Sequence, residues 1–196
     1  DGIRDYKVTG VQTCALPICI KKNPVSDMLA QQALKLLSHH LRRVLEDPTD
    51  LEAREAMLLG SMMAGQAFAN APVGAVHALA YPLGGHYHIP HGLSNSLMLP
   101  TVLAFNAREA EQHYADLCQS LPGNLPPSSV SFIDWLVALI ADSGLPATLS
   151  EARVPENDLA MLAADAMQQQ RLLVNNPVPV EEADALQLYQ TAWGAR

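Results

Sequence analysis

The 196-residue chain has little charge: 16% of its residues are charged, and aromatic residues make up 5%. Soluble domains usually carry about a quarter charged residues. Much of this surface is therefore expected to be buried in its own core or against a partner. Basic residues are the scarcer sign, 12 Lys and Arg against 20 Asp and Glu, for a net charge of −8. With no basic stripe, a nucleic-acid partner is not expected. No run of eighteen apolar residues occurs, so no membrane span is expected. The start, Asp1-Gly2-Ile3-Arg4-Asp5, lacks the charged and apolar regions of a signal peptide. Three cysteines (Cys14, Cys19 and Cys118) make no disulfide framework, which fits a reducing cytoplasm. Apolar residues reach 49%, too many for a disordered chain.

After the opening, the text is helical throughout. Residues 1–20 have no helical period and no apolar face. Residues 1–18, DGIRDYKVTGVQTCALPI, resemble a translated sequencing adapter, so residues 1–20 are read as an irregular, non-native segment and 21–196 as the folded domain. Asn23-Pro24-Val25-Ser26-Asp27 is a helix start with Ser26 or Asp27 as cap. Met28, Leu29, Ala33, Leu36, Leu37, Leu41 and Val44 then recur at helical spacing up to Pro48. Thr49-Asp50-Leu51-Glu52 reads as a capping box. The second helix carries Gly60, Ser61, Ala64 and Gly65, which permit close approach. It is expected to be central and buried, with Met57, Met62 and Met63 as core filler.

A third helix is expected over 73–83, ended by Gly84-Gly85, and a fourth from Pro90 to about Asn106. Residues 122–127 read as a loop. Further helices are expected over 130–141, from Pro155 to about Gln170, and over 180–193, with a turn at 175–179. No strand pattern and no fixed repeat follows residue 20. The expected class is an all-α, multi-helix bundle.

Four of the seven histidines lie in one otherwise apolar window: His77, His86, His88 and His91. His77 is on an apolar helix, with Tyr81 one turn later on the same face. His91 opens the next helix and can face the same space. Two neutral imidazoles at a helix corner make half of a divalent metal site, suited to iron or zinc. No carboxylate ligand lies in the window. A buried histidine is also an ordinary hydrogen-bonded core residue. His86 and His88 fall on the turn and are expected to meet water. His39 and His40 are expected on a solvated face. Zinc-protease, Walker, Rossmann and nucleophile-elbow motifs are missing from the text.

The segment HALAYPLGGHYHIPHGLSN, residues 77–95, ending in Leu99-Pro100, resembles the signature of the iron-containing (group III) alcohol dehydrogenases. AREAMLLGSMMAG (53–65), KKNPVSD (21–27) and NNPVP (175–179) with the final helix are similar to its flanks, so the likeness spans about 21–193. The resemblance implies a C-terminal helical domain that carries Fe2+ or Zn2+, preceded in such enzymes by an α/β domain for NAD(P). It implies one Asp and three His ligands, the last two matching His77 and His91. The other two would fall where this chain reads Thr9 to Thr13, and neither is there. Tyr81 stands where many members carry a histidine beside substrate, and is the catalytic candidate. His88 is the candidate for the cofactor side. The implied reaction is hydride transfer between an alcohol, or the aldehyde formed from it, and the nicotinamide, with the metal polarising the oxygen.

By itself the 196-residue chain is expected to be inactive. A homo-oligomer fits the low charge. Two other readings stay open: a helical interaction module without chemistry, and a metal-free relative whose site takes an acidic substrate. Ligand histidines must aim their ring nitrogens at one common point, within about 3–4 Å of each other, whereas rings pointing to opposite sides of the corner favour the module.

Overall fold

The computed structural model describes residues 19–194, and among these every regular element is helical. Eight α-helices follow one another: α1 (Pro24–Glu46), α2 (Leu51–Asn70), α3 (Ala75–Tyr87), α4 (His91–Leu117), α5 (Ser129–Asp142), α6 (Leu159–Ala166), α7 (Gln170–Leu173) and α8 (Glu182–Trp193). Two 3₁₀ turns, Cys118–Ser120 and Glu156–Asp158, join them. The all-α expectation holds. The reading of residues 1–18 as foreign lies outside the described residues. Cys19 is buried, and the Ile20 N–H donates to Asn175 O at 3.1 Å.

Both N-terminal caps differ from expectation. Asn23, not Ser26 or Asp27, caps α1: its side chain accepts from the N–H groups of Val25 and Ser26, and Ser26 Oγ accepts from Asn23 N–H. Pro24, whose fixed φ suits the first helical position, puts the start one residue after Asn23. Asp50 alone caps α2, accepting from Ala53 N–H at 3.0 Å. Thr49 is bound instead to Asp47, and Glu52 pairs with Arg43 rather than reaching back.

The α2 helix is not central. Its small residues Ala53, Gly60, Ala64 and Ala67, with Met57, form the buried stripe, and they face α1. A Cβ on Gly60 would lie 2.9 Å from Leu37 Cγ, so glycine sets how near the two helices run. The opposite face meets solvent, with Leu58 74% and Met62 51% exposed. Of the three methionines expected as core filler only Met57 is buried. The small-residue stripe marks one close helix pair rather than burial on all sides. One cluster joins both helices to α5: Leu37, Leu41 and Val44 of α1 group with Ala53 and Met57 of α2 and with Leu139 of α5. Arg42 adds a 2.7 Å bond to Asp142 and lies over the Trp135 ring.

The central helix is α3. Residues 75–80, Pro82 and Leu83 are all buried. They pack with Leu97, Met98, Val102 and Leu103 of α4 and with Leu162, Ala185 and Tyr189 of α6 and α8. The Tyr189 hydroxyl donates to Leu79 O at 2.6 Å, within the turn that Pro82 interrupts. Gly84-Gly85 does not end this helix, which runs on to Tyr87. His88, left-handed at φ 54° and ψ 26°, ends it, and its N–H donates to Gly84 O. The α4 helix passes Asn106 and continues to Leu117. The helix expected from Pro155 to Gln170 is split into the second 3₁₀ turn, α6 and then α7.

The expected turn at 175–179 is present, and a buried amide pair fixes it. Asn176 Nδ2 donates to Asn106 Oδ1 at 2.7 Å, and Asn106 Nδ2 donates to Asn176 Oδ1 at 3.0 Å. Asn106→Ala removes both of these hydrogen bonds, while Asn176 Oδ1 keeps Ala75 N–H and its Nδ2 keeps Val178 O. A hydrogen bond contributes about 0.5–1.5 kcal/mol net, so this variant is expected to lose roughly 1–3 kcal/mol of unfolding free energy. Urea denaturation should show the midpoint lowered with the slope unchanged.

Candidate metal site

The path of the chain between α3 and α4 builds the site. The left-handed turn at His88 sends Ile89 and Pro90 back along the end of α3. A Cβ on Gly84 would lie 3.6 Å from Ile89 O, so Gly84 borders the returning segment. Pro90 then flanks α4 in extended backbone (φ −53°, ψ 139°), and His91 is its first residue. The His91 ring lies beside α3, with its centroid 5.2 Å from that of His77 and 5.8 Å from that of Tyr81. Tyr81 meets His77 edge-on at 6.5 Å. His77, His91 and Tyr81 thus share one corner.

His77 is 4% exposed and its Nδ1 has no protein partner. Burial in apolar surroundings, reinforced by the neighbouring His91, lowers its pKa from 6.5 to about 4. His91 is half-buried and its pKa is also lowered by desolvation. Both rings are held toward the neutral form, which is the form that binds metal. The Asn95 side chain is fully buried. Its Nδ2 donates to His91 O at 3.0 Å and lies 3.1 Å from His91 Nε2. Tyr81 is partly open to solvent, so its phenol can meet a small molecule entering the corner.

The other histidines lie elsewhere. His88 is exposed at the C-cap of α3 and is not part of the His77–His91 cluster. His86 is also exposed, as expected, but Nε2 is 2.9 Å from Asp165 Oδ2. Tyr87 Oη donates to Asp158 at 2.7 Å; burial and this carboxylate push its pKa up to about 12. These two contacts tie the end of α3 to the segment around α6. His39 is exposed, whereas His40 Nδ1 is 2.8 Å from Leu36 O.

Sequence reasoning missed the amides Asn95, Asn106, Asn175 and Asn176, which surround this region. The available signal was asparagine inside the apolar run of α4, where its side chain competes with the helix and needs another reason to be present. Two neutral imidazoles fit a divalent cation as ligands. Among the described residues no group of three or more His, Cys, Asp or Glu could hold one.

Because the folded His77 pKa lies below its unfolded value, the unfolded chain binds more protons between pH 6.5 and 4. The metal-free chain should therefore lose stability as pH falls through that window. The loss reaches at most about 2 kcal/mol by pH 5, taking 1.36 kcal/mol per pKa unit. Denaturant titrations at pH 7 and 5 should show it in the wild type, and a smaller loss in His77→Gln.

The profile of the Fe-containing alcohol dehydrogenase family, C-terminal, matches residues 18–193. Long-chain-alcohol dehydrogenase 1 of Geobacillus thermodenitrificans (strain NG80-2) is 40% identical over 181 residues, 90% of this chain and 46% of that protein. The 1,3-propanediol dehydrogenase of Citrobacter freundii is 34% identical over 176 residues, 87% of this chain and 45% of that protein. Among solved structures, a 1,3-propanediol oxidoreductase superposes with a TM-score of 0.90 at 31% identity, covering 96% of this chain and 51% of that one. The chain spans about half the length of the curated relatives it matches. It belongs to the Fe-containing alcohol dehydrogenase family and corresponds to its C-terminal helical part.

Proposed function

We propose that this chain is the metal-bearing helical part of an alcohol dehydrogenase that interconverts an alcohol and its carbonyl with NAD(P). The pairing of two desolvated imidazoles from neighbouring helices, 5.2 Å apart, carries the reading. His77 and His91 would hold Fe2+ or Zn2+ together with ligands from outside the described residues. When bound, the cation supplies Lewis-acid polarisation of the substrate oxygen.

The chain's own groups have distinct tasks in this reading. Burial keeps His77 neutral. Asn95 restrains His91. Tyr81 Oη, beside both rings and open to solvent, hydrogen-bonds the substrate oxygen and handles its proton. His88, on the exposed cap, belongs to the nicotinamide side. The domain is read as residues 21–196, with 1–20 outside it. A second reading, a helical interaction module, draws its support from the exposed apolar face of α2.

Zinc titration of the 196-residue chain, followed by the imidazole resonances, discriminates the two. The metal reading expects His77 and His91 to move together, with weak affinity, and His91→Ala to abolish the shift at His77. Resonances that do not respond leave the module reading. Alcohol-dependent nicotinamide reduction by this polypeptide is expected to be undetectable. Clear turnover would show that the described pair is not merely part of the shell.

A further inference from the structure

A small pocket borders His77. Residues 71–77, Asn106 and the turn 175–177 line it together with Cys19, and its volume open to a water-sized sphere is about 20 Å³. That is room for about one water. Asn106 and Asn176 use their side chains on each other, and Asn176 also binds Val178 O and Ala75 N–H. Two lining side chains carry buried polar atoms without a protein partner: His77 Nδ1 and Asn175 Oδ1. Asn175 is 1% exposed, so both residues are more than nine-tenths buried.

The place of the Asn175 amide is fixed. Its Nδ2 donates to Val73 O and to Arg171 O, each at 3.1 Å. Exchanging its O and N would set oxygen against two carbonyls, so Oδ1 is the atom left over. Val73 is four residues before His77, and helical side chains lean toward the preceding turn. The imidazole therefore leans toward the turn that Asn175 holds.

We infer that one buried water bridges His77 Nδ1–H and Asn175 Oδ1, and that Asn175 is thereby a positioning residue that favours the Nδ1–H tautomer of His77. The amide oxygen only accepts, so one water hydrogen goes to it. The metal-site reading leaves the Nε2 lone pair for a cation, so the proton is on Nδ1 and the water oxygen accepts from it. A ligand histidine held by water through its other nitrogen is a common device for fixing ring and tautomer. The inference deepens the metal-site reading, yet it is tested without metal.

The test is imidazole ¹⁵N correlation on the histidine-labelled, metal-free chain at pH 7, with His77 assigned by its loss in His77→Gln. The wild type should show Nδ1 as a protonated, pyrrole-type nitrogen and Nε2 as pyridine-type, with cross-relaxation from a long-lived water to the Nδ1 proton. Asn175→Leu, which removes the acceptor, should draw the two nitrogen shifts toward the average of exchanging tautomers. Protonation at Nε2 in the wild type, no water contact, or an unchanged pattern in Asn175→Leu would overturn the inference. If the leucine variant does not fold, the wild type decides: a water contact to a protonated Nδ1 supports the inference, and its absence overturns it. Zinc that fails to bind while Nδ1 stays protonated counts against the metal reading and leaves the water bridge standing.

Discussion

The site depends on the left-handed residue His88. A non-glycine residue in that region is uncommon and somewhat strained. Here it ends α3, keeps a backbone bond to Gly84 O, and turns the chain back along its own helix. Without that reversal His91 could not lie beside a residue of α3. The contacts of His86 with Asp165 and of Tyr87 with Asp158 brace the same end of the helix from the other side. A local conformational constraint thus becomes a geometry between two imidazoles. The surrounding apolar core then makes those imidazoles neutral.

The architecture was largely legible in the text. Apolar spacing, prolines and short connections give an all-α chain and most helix starts to within a few residues. What failed has a common cause. Gly84-Gly85 reads locally as a stop, but α3 continues through it to Tyr87. Gly60 and its small neighbours indicate close approach correctly, yet a small-residue face needs only one partner. The exposed side of α2, with Leu58 and Met62, could not be foreseen from periodicity, because apolar residues occupy both of its faces.

The candidate site was legible in part. His77, His91 and Tyr81 stand out as polar or aromatic residues at helical spacing in an apolar window, and they do meet. The amides around them were not legible. Asn106 and Asn176 are 70 residues apart, and no local pattern announces a reciprocal pair across such a distance. Asn95, fully buried in the first turns of α4, reads as an ordinary helix residue until its neighbour His91 is in place.

The link between Asn176 and Asn106 also orders events during folding. Contacts between distant parts of a chain form at greater entropic cost than local ones. Helices α1 and α2 can pair as soon as they are made, but the surroundings of His77 include residues 175–177. The enclosure of that imidazole must therefore wait for nearly the whole polypeptide. A nascent or C-terminally clipped chain would leave His77 open to water.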